Sequence, residues 1–131
     1  MDELPIQSGD DVVRVRQQVR TTAAENGLSL VDQTKLVTAA SELARNTLVH
    51  GGGGTARVEV VKSPNGRAGV KLYFTDEGPG IADLGLALTD GWSSGTGLGL
   101  GLSGSRRLVD EFELSSQPGA GTSVVVVKWS R

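Results

Sequence analysis

Apolar residues change their spacing along this chain in a way that marks out elements one after another. Residues 4–7 are short and extended, and suit an edge strand in which Pro5 is tolerated. Asp10 or Asp11 is then placed to cap a helix running to about Asn26, where Asn26-Gly27 is a stop signal. Ser29 is the expected cap of a second, longer helix through Val49, because Leu36, Ala40, Leu43, Ala44 and Thr47 recur at helical spacing. The period then changes to two. TARVEVVK (55–62) and GVKLYFT (69–75) both alternate, with Ser63-Pro64-Asn65-Gly66 between them as hairpin chemistry.

From Asp76 to about Gly97 strong helix and strand formers are sparse, so a long loop is expected there. A third helix over 98–109 grows out of GLGLGL. Residues 111–116 and 122–129 (TSVVVVKW) then read as strands around a turn at 117–121. The order is β-α-α-β-β-(lid)-α-β-β. Hairpin neighbours imply a largely antiparallel or mixed sheet, and three helices must cover one face of it. The expected class is therefore α+β, a two-layer α/β sandwich, with the other sheet face left open to solvent or a partner.

At 131 residues the chain has room for a single core, so one domain over 1–131 is expected. A net charge of −2, with no basic run, gives no footprint for nucleic acid or an anionic membrane. No apolar stretch approaches the length of a bilayer span, and the acidic start MDELPIQSGDD has no signal core, so a cytoplasmic location is expected. The absence of Cys excludes disulfides, thiolate zinc and cysteine nucleophiles, and a single His, His50, excludes a multi-histidine metal site. Any metal would be a hard cation on oxygen, which favours magnesium held partly by a phosphate.

Glycine is the outlier: 19 are present, against about 9 expected at a usual share of ~7%. Nine of them lie between Gly78 and Gly104, and that clustering directs attention to three glycine segments and one helix.

On the second helix Glu42 and Asn46 are four residues apart and project from one side. The Asn46 amide carbonyl suits a magnesium shell at a cavity wall, and Glu42 suits removal of a hydroxyl proton. Asp76-Glu77-Gly78-Pro79-Gly80 follows a strand. A carboxylate there can accept from the exocyclic amine of adenine, and the glycines remove side chains that would obstruct a flat ring. Gly97-Leu98-Gly99-Leu100-Gly101 exposes backbone N–H groups at a helix start, a cradle for polyphosphate. It is neither a Walker loop nor a Rossmann fingerprint. Those glycines cost up to ~1 kcal/mol each relative to Ala, which favours a functional reason for them. Finally Gly119-Ala120-Gly121-Thr122 turns into the last strand, and the Thr122 hydroxyl can reach a base directly or through water. Taken singly, a polar helical pair, a D-x-G turn and a hairpin turn are ordinary features; their order and intervals make them a site.

This arrangement resembles the GHKL superfamily with its Bergerat ATP-binding fold, over nearly the whole chain. Its N box matches Glu42 to Asn46, and its glycine boxes match Asp76 to Gly80, Gly97 to Gly101 and Gly119 to Thr122. Within it, SELARN, DEGPGI, DGWSSG, GLGLSGSRRLVDEF and VVVVKWSR look like the RsbT-type serine/threonine kinases, and more broadly the RsbW and SpoIIAB anti-sigma-factor kinases. The resemblance implies an ATP- and Mg2+-dependent kinase that phosphorylates Ser or Thr on a STAS-domain antagonist (RsbS/RsbR-like) in a bacterial partner-switching pathway. A downstream phosphatase (RsbU-like) or a sigma factor would be a second partner. The alternative it leaves open is an anti-sigma factor that sequesters a sigma subunit while phosphorylating its antagonist.

By the same resemblance Glu42 is the general base, Asn46 the magnesium ligand and Asp76 the adenine anchor. Gly78, Gly80 and Ile81 belong to the base pocket. Gly97, Leu98, Gly99, Leu100 and Gly101 hold phosphates through the backbone, and Thr122 supports the adenine. His50, beside the Asn helix, is read as a helix-end histidine favourable to the dipole.

Overall fold

Ser29 opens the longest helix among the described residues by accepting a hydrogen bond from the Asp32 backbone N–H at 3.1 Å. The computed structural model describes residues 3–80 and 102–131; Ile81 and the Gly97–Gly101 box lie outside the described residues. Over those residues the order is β1 (Glu3–Ile6), α1 (Gly9–Glu25), α2 (Leu30–Val49), β2 (Gly54–Lys62), β3 (Ala68–Asp76), α3 (Leu102–Leu108), β4 (Glu111–Ser116) and β5 (Thr122–Trp129). The five strands form one sheet in the order β1-β2-β3-β5-β4. Every ladder is antiparallel, the simpler of the two forms left open by the hairpin pattern.

Strand limits shift by about one residue from expectation, and the start of α1 differs for a local reason. The N-cap position of helix α1 is Ser8 rather than Asp10 or Asp11, and the Ser8 side chain makes no capping hydrogen bond. Asp11, in the first turn, instead reaches back to accept from the Gln7 N–H at 2.8 Å and pairs with Arg14, so its carboxylate serves an orphan donor from inside the helix. Helix α3 closes at Leu108, and its predicted opening at Leu98 falls outside the described residues.

Alternation sets which face meets the helices. Ala56 and Val58 of β2, Val70, Leu72 and Phe74 of β3, and Val124 and Val126 of β5 join Val15 and Val19 of α1 and Leu36, Ala40 and Leu43 of α2 in one core, and Leu102 of α3 completes it. The intervening strand positions point away from the helices. There Arg57 stacks 4.3 Å over the Tyr73 ring and pairs with Glu59, which also takes the Tyr73 hydroxyl. The β2–β3 connection closes as the sequence suggests, with the Gly66 N–H on the Ser63 carbonyl and Gly66 at φ +84°.

At the far end of the sheet a charged cluster ties the last strand to the start of α2. Lys128, 3% exposed, lies 3.6 Å from Asp32 and 3.5 Å from Asp110. Arg131 reaches the same two carboxylates.

Candidate functional site

The end of the sheet opposite that cluster is where α2 finishes and β3 and β5 meet. Asp76 is the last residue of β3 and the ladder partner of Thr122, the first of β5. These two are therefore neighbours across central strands. Successive turns of α2 bring Glu42, Asn46 and His50 down one side of the helix toward them, each about 6 Å beyond the last. Leu43, Asn46, Thr47, His50, Phe74, Asp76, Leu102, Thr122 and Val124 line one cavity. Its walls are apolar with a few convergent polar groups, the composition of a small-molecule site.

The glycines around Asp76 serve close backbone approach. A Cβ on Gly51 would stand 2.3 Å from Asp76 Cγ, and one on Gly78 would stand 2.7 Å from the Gly51 Cα. A Cβ on Gly121 would lie 2.2 Å from the Asp76 carbonyl oxygen, and one on Gly80 would lie 2.0 Å from that of Gln117. Gly80 and Gly121 also hold positive φ, at 75° and 81°, backbone that side-chain-bearing residues avoid. Hydrogen bonds anchor segment 51–54 to the end of α2 and join segment 119–121 to segment 76–80. The Gly51 N–H donates to the Asn46 carbonyl and the Gly53 N–H to that of Thr47, while the Gly119 N–H donates to the Pro79 carbonyl. Segments 51–54, 76–80 and 119–121 thus interlock around one acid.

Asp76 is 8% exposed, and its Oδ1 accepts from the Gly78 N–H at 2.9 Å. A carboxylate has more acceptor sites than that single donor fills. Thr122 Oγ1 is 2.9 Å from Ser116 Oγ, which itself donates to the Gly121 carbonyl. With the Ser116 proton so committed, Thr122 donates to Ser116 and keeps acceptor lone pairs of its own. The cavity therefore offers two acceptors, side by side, at the end of an apolar slot. This set suits the amino edge of a purine.

His50 was read from sequence only as a helix-end residue. It is the C-cap of α2, and its Nε2 lies 3.3 Å from the Gly80 carbonyl, which ties the helix end to the Asp76 loop. The signal that finds it is spacing, since it follows Asn46 by four residues, as Asn46 follows Glu42. Glu42 lies farther out, its side chain 38% exposed and 3.1 Å from the Arg45 guanidinium.

Among the described residues no three His, Cys, Asp or Glu side chains gather as a metal cluster. The oxygen donors here, the Asn46 amide foremost, fit a magnesium ion carried mainly by phosphates and water rather than an all-protein cage.

A helix presenting Glu and Asn, a strand-end Asp and interlocked glycine turns on an antiparallel sheet define an ATP-binding module. The chain belongs to the histidine kinase-, DNA gyrase B-, and HSP90-like ATPase family, whose model matches residues 31–130. Within that family it groups with the RsbT-type kinases. It is 45% identical over 121 residues to serine/threonine-protein kinase RsbT of Bacillus subtilis (strain 168), a match covering 92% of this chain and 90% of that relative. Among solved structures, that of the RsbU and RsbW domains of Rv1364c from Mycobacterium tuberculosis aligns with a TM-score of 0.60 at 21% identity. That alignment covers 100% of this chain and 33% of the other. The mycobacterial sensor histidine kinase MprB aligns with a TM-score of 0.53 at 22% identity over 99% of this chain and 97% of its own. At such identities these two share the fold.

Proposed function

We propose that this chain, as a single domain over 1–131, is an ATP- and Mg2+-dependent serine/threonine kinase whose substrate is a small STAS-domain antagonist in a bacterial partner-switching pathway. The observation that carries the reading is the convergence of Asn46 and His50 of α2 with Asp76 and Thr122 at the paired ends of β3 and β5, with Glu42 one turn back on the same side of the helix. The relationship to RsbT supports the substrate class.

In this reading Asp76 and Thr122 hold the adenine, with Gly78 and Gly80 forming the backbone wall beside it. Ile81 is assigned to ATP binding as well, and Gly97, Leu98, Gly99, Leu100 and Gly101 to holding the phosphates through backbone N–H groups. Asn46 holds the magnesium ion, which neutralises charge on the phosphates of ATP. Glu42 takes the proton of the attacking hydroxyl. The rest of the catalysis is positioning and electrostatics, as in phosphoryl transfer generally. After transfer the kinase leaves the phosphorylated antagonist and engages a second target such as a phosphatase. No helix among the described residues is long and apolar enough to cross a membrane.

The test is incubation with labelled ATP and magnesium plus STAS-domain proteins, with pull-down of a sigma subunit in parallel. Label on a Ser or Thr of a STAS protein is the expected result. Capture of a sigma subunit would favour an anti-sigma factor, and ATP binding without transfer to any STAS protein would refute the kinase assignment.

A further inference from the structure

We propose that Arg45 is the positioning residue for Glu42, an inference that rests on the kinase reading above. The Arg45 Nη1 donates to Glu42 Oε1 at 3.1 Å, and both side chains leave the same helix within one turn. Among the described residues this guanidinium is the one group in hydrogen-bond contact with the Glu42 carboxylate. Glutamate has three side-chain torsions, and this one is 38% exposed, so packing alone leaves it several rotamers. A base must be held to within roughly 0.5 Å and 10–20° of its productive geometry. Arg45 supplies that restraint from the helix itself, before either substrate arrives.

The step it serves is transfer of the γ-phosphoryl group to the acceptor hydroxyl. The acceptor O–H proton passes to Glu42 as the acceptor oxygen bonds to the γ-phosphorus. The bond from that phosphorus to the β,γ-bridging oxygen breaks, and its electron pair leaves with ADP. Arg45 touches none of these atoms; it fixes the carboxylate that receives the proton. A merely stabilising role would be small, because an exposed pair of this spacing contributes only about 0.3–0.5 kcal/mol. Arg45 is itself 56% exposed, so a docking contact to the partner is the competing role to be separated.

The experiment compares wild type with Arg45→Ala, Arg45→Gln and Arg45→Lys as full chains, each first checked for native circular dichroism. Three quantities are measured: affinity for a fluorescent ATP analogue, kcat and KM for transfer to the STAS protein, and magnesium-dependent ATP hydrolysis with no protein substrate. Arg45→Ala and Arg45→Gln are expected to bind nucleotide like wild type. Their kcat should fall roughly 10- to 100-fold, the scale of an ångström-level misplacement. KM for the STAS protein should hold, and hydrolysis should drop in step with kcat. Arg45→Lys should recover part of the loss, since an ammonium can still reach the carboxylate but as a single point contact.

Unchanged transfer and hydrolysis in Arg45→Gln would overturn the proposal. So would a raised KM with kcat intact, which would make Arg45 a docking contact. If wild type hydrolyses ATP yet transfers to no STAS protein, the substrate reading fails, and the hydrolysis series still decides Arg45. A wild type that neither binds nor hydrolyses ATP overturns both.

Discussion

Gly51→Ala isolates the steric role of the glycine interlock from backbone strain. Gly51 is not among the glycines at positive φ, so alanine is conformationally acceptable there. Its Cβ, however, would stand 2.3 Å from Asp76 Cγ, 2.5 Å from Asp76 Cβ and 2.6 Å from Oδ2. Non-bonded carbons settle at about 3.5–4.0 Å, so more than ~1 Å of separation must be made. Rotating the carboxylate is insufficient, because Asp76 Cβ is itself inside the clash. The Asp76 backbone cannot yield freely either, since its carbonyl is pressed against Gly121.

The carboxylate is therefore displaced from the base. A hydrogen bond to a charged group contributes about 1.5–3 kcal/mol, so ATP affinity should fall roughly 10- to 150-fold. Stability should fall by about 1–3 kcal/mol, as overpacking usually costs. Gly52→Ala is the control. Gly52 has φ +74° and nothing within 4 Å of a Cβ, so it should lose ~1–2 kcal/mol to left-handed strain while binding ATP normally. Titration calorimetry with Mg-ATP and urea unfolding read the two effects separately. Wild-type ATP affinity in Gly51→Ala, or equal loss of affinity in both variants, would refute the steric argument.

Glu42→Gln should remove phosphoryl transfer while leaving ATP affinity nearly intact, measured by label transfer beside nucleotide titration; full transfer would remove Glu42 as the base. Lys128→Met removes the cation buried between Asp32 and Asp110. It should destabilise the chain by about 3–5 kcal/mol in urea unfolding without affecting the nucleotide site at the opposite end of the sheet. Partial burial of Asp110 would raise its pKa, but the Trp129 N–H, Lys128 and Arg131 together hold it below the ordinary carboxylate value. Its contribution to stability is therefore complete above the pKa it has in the unfolded chain, and is lost as pH falls through the lower folded value. The stability difference between wild type and Asp110→Asn should thus be constant from neutral pH to about pH 4 and shrink below it. A difference that grows on acidification would reverse the sign of this linkage.

Much of the fold was legible because period and punctuation agreed. The Leu36–Ala40–Leu43–Ala44 stripe, the two alternating strands and Ser63-Pro64-Asn65-Gly66 each point to one structure. The candidate site was legible as an order of motifs, since Glu42, Asn46 and Asp76 are ordinary alone. Less legible were effects that depend on what the chain meets after folding. Asp11 looks like a cap in sequence, yet its carboxylate reaches back from inside the helix to the Gln7 N–H that precedes it. A run of four glycines after α2 reads only as a helix end, and nothing local reveals that Gly51 must clear Asp76. The tie from His50 to Gly80 joins residues 30 positions apart, and the Lys128 cluster joins the start of α2 to the chain's last strand. Contacts of that separation follow from topology, which residue spacing alone does not encode.

The register that pairs Asp76 with Thr122 has a consequence for motion. Both belong to strands flanked on either side by other strands, the class of backbone that opens only in the rarest, near-global fluctuations. The floor of the proposed base pocket is therefore built on the most slowly opening part of the fold. On the kinase reading, nucleotide exchange is then timed by elements other than the β3–β5 ladder.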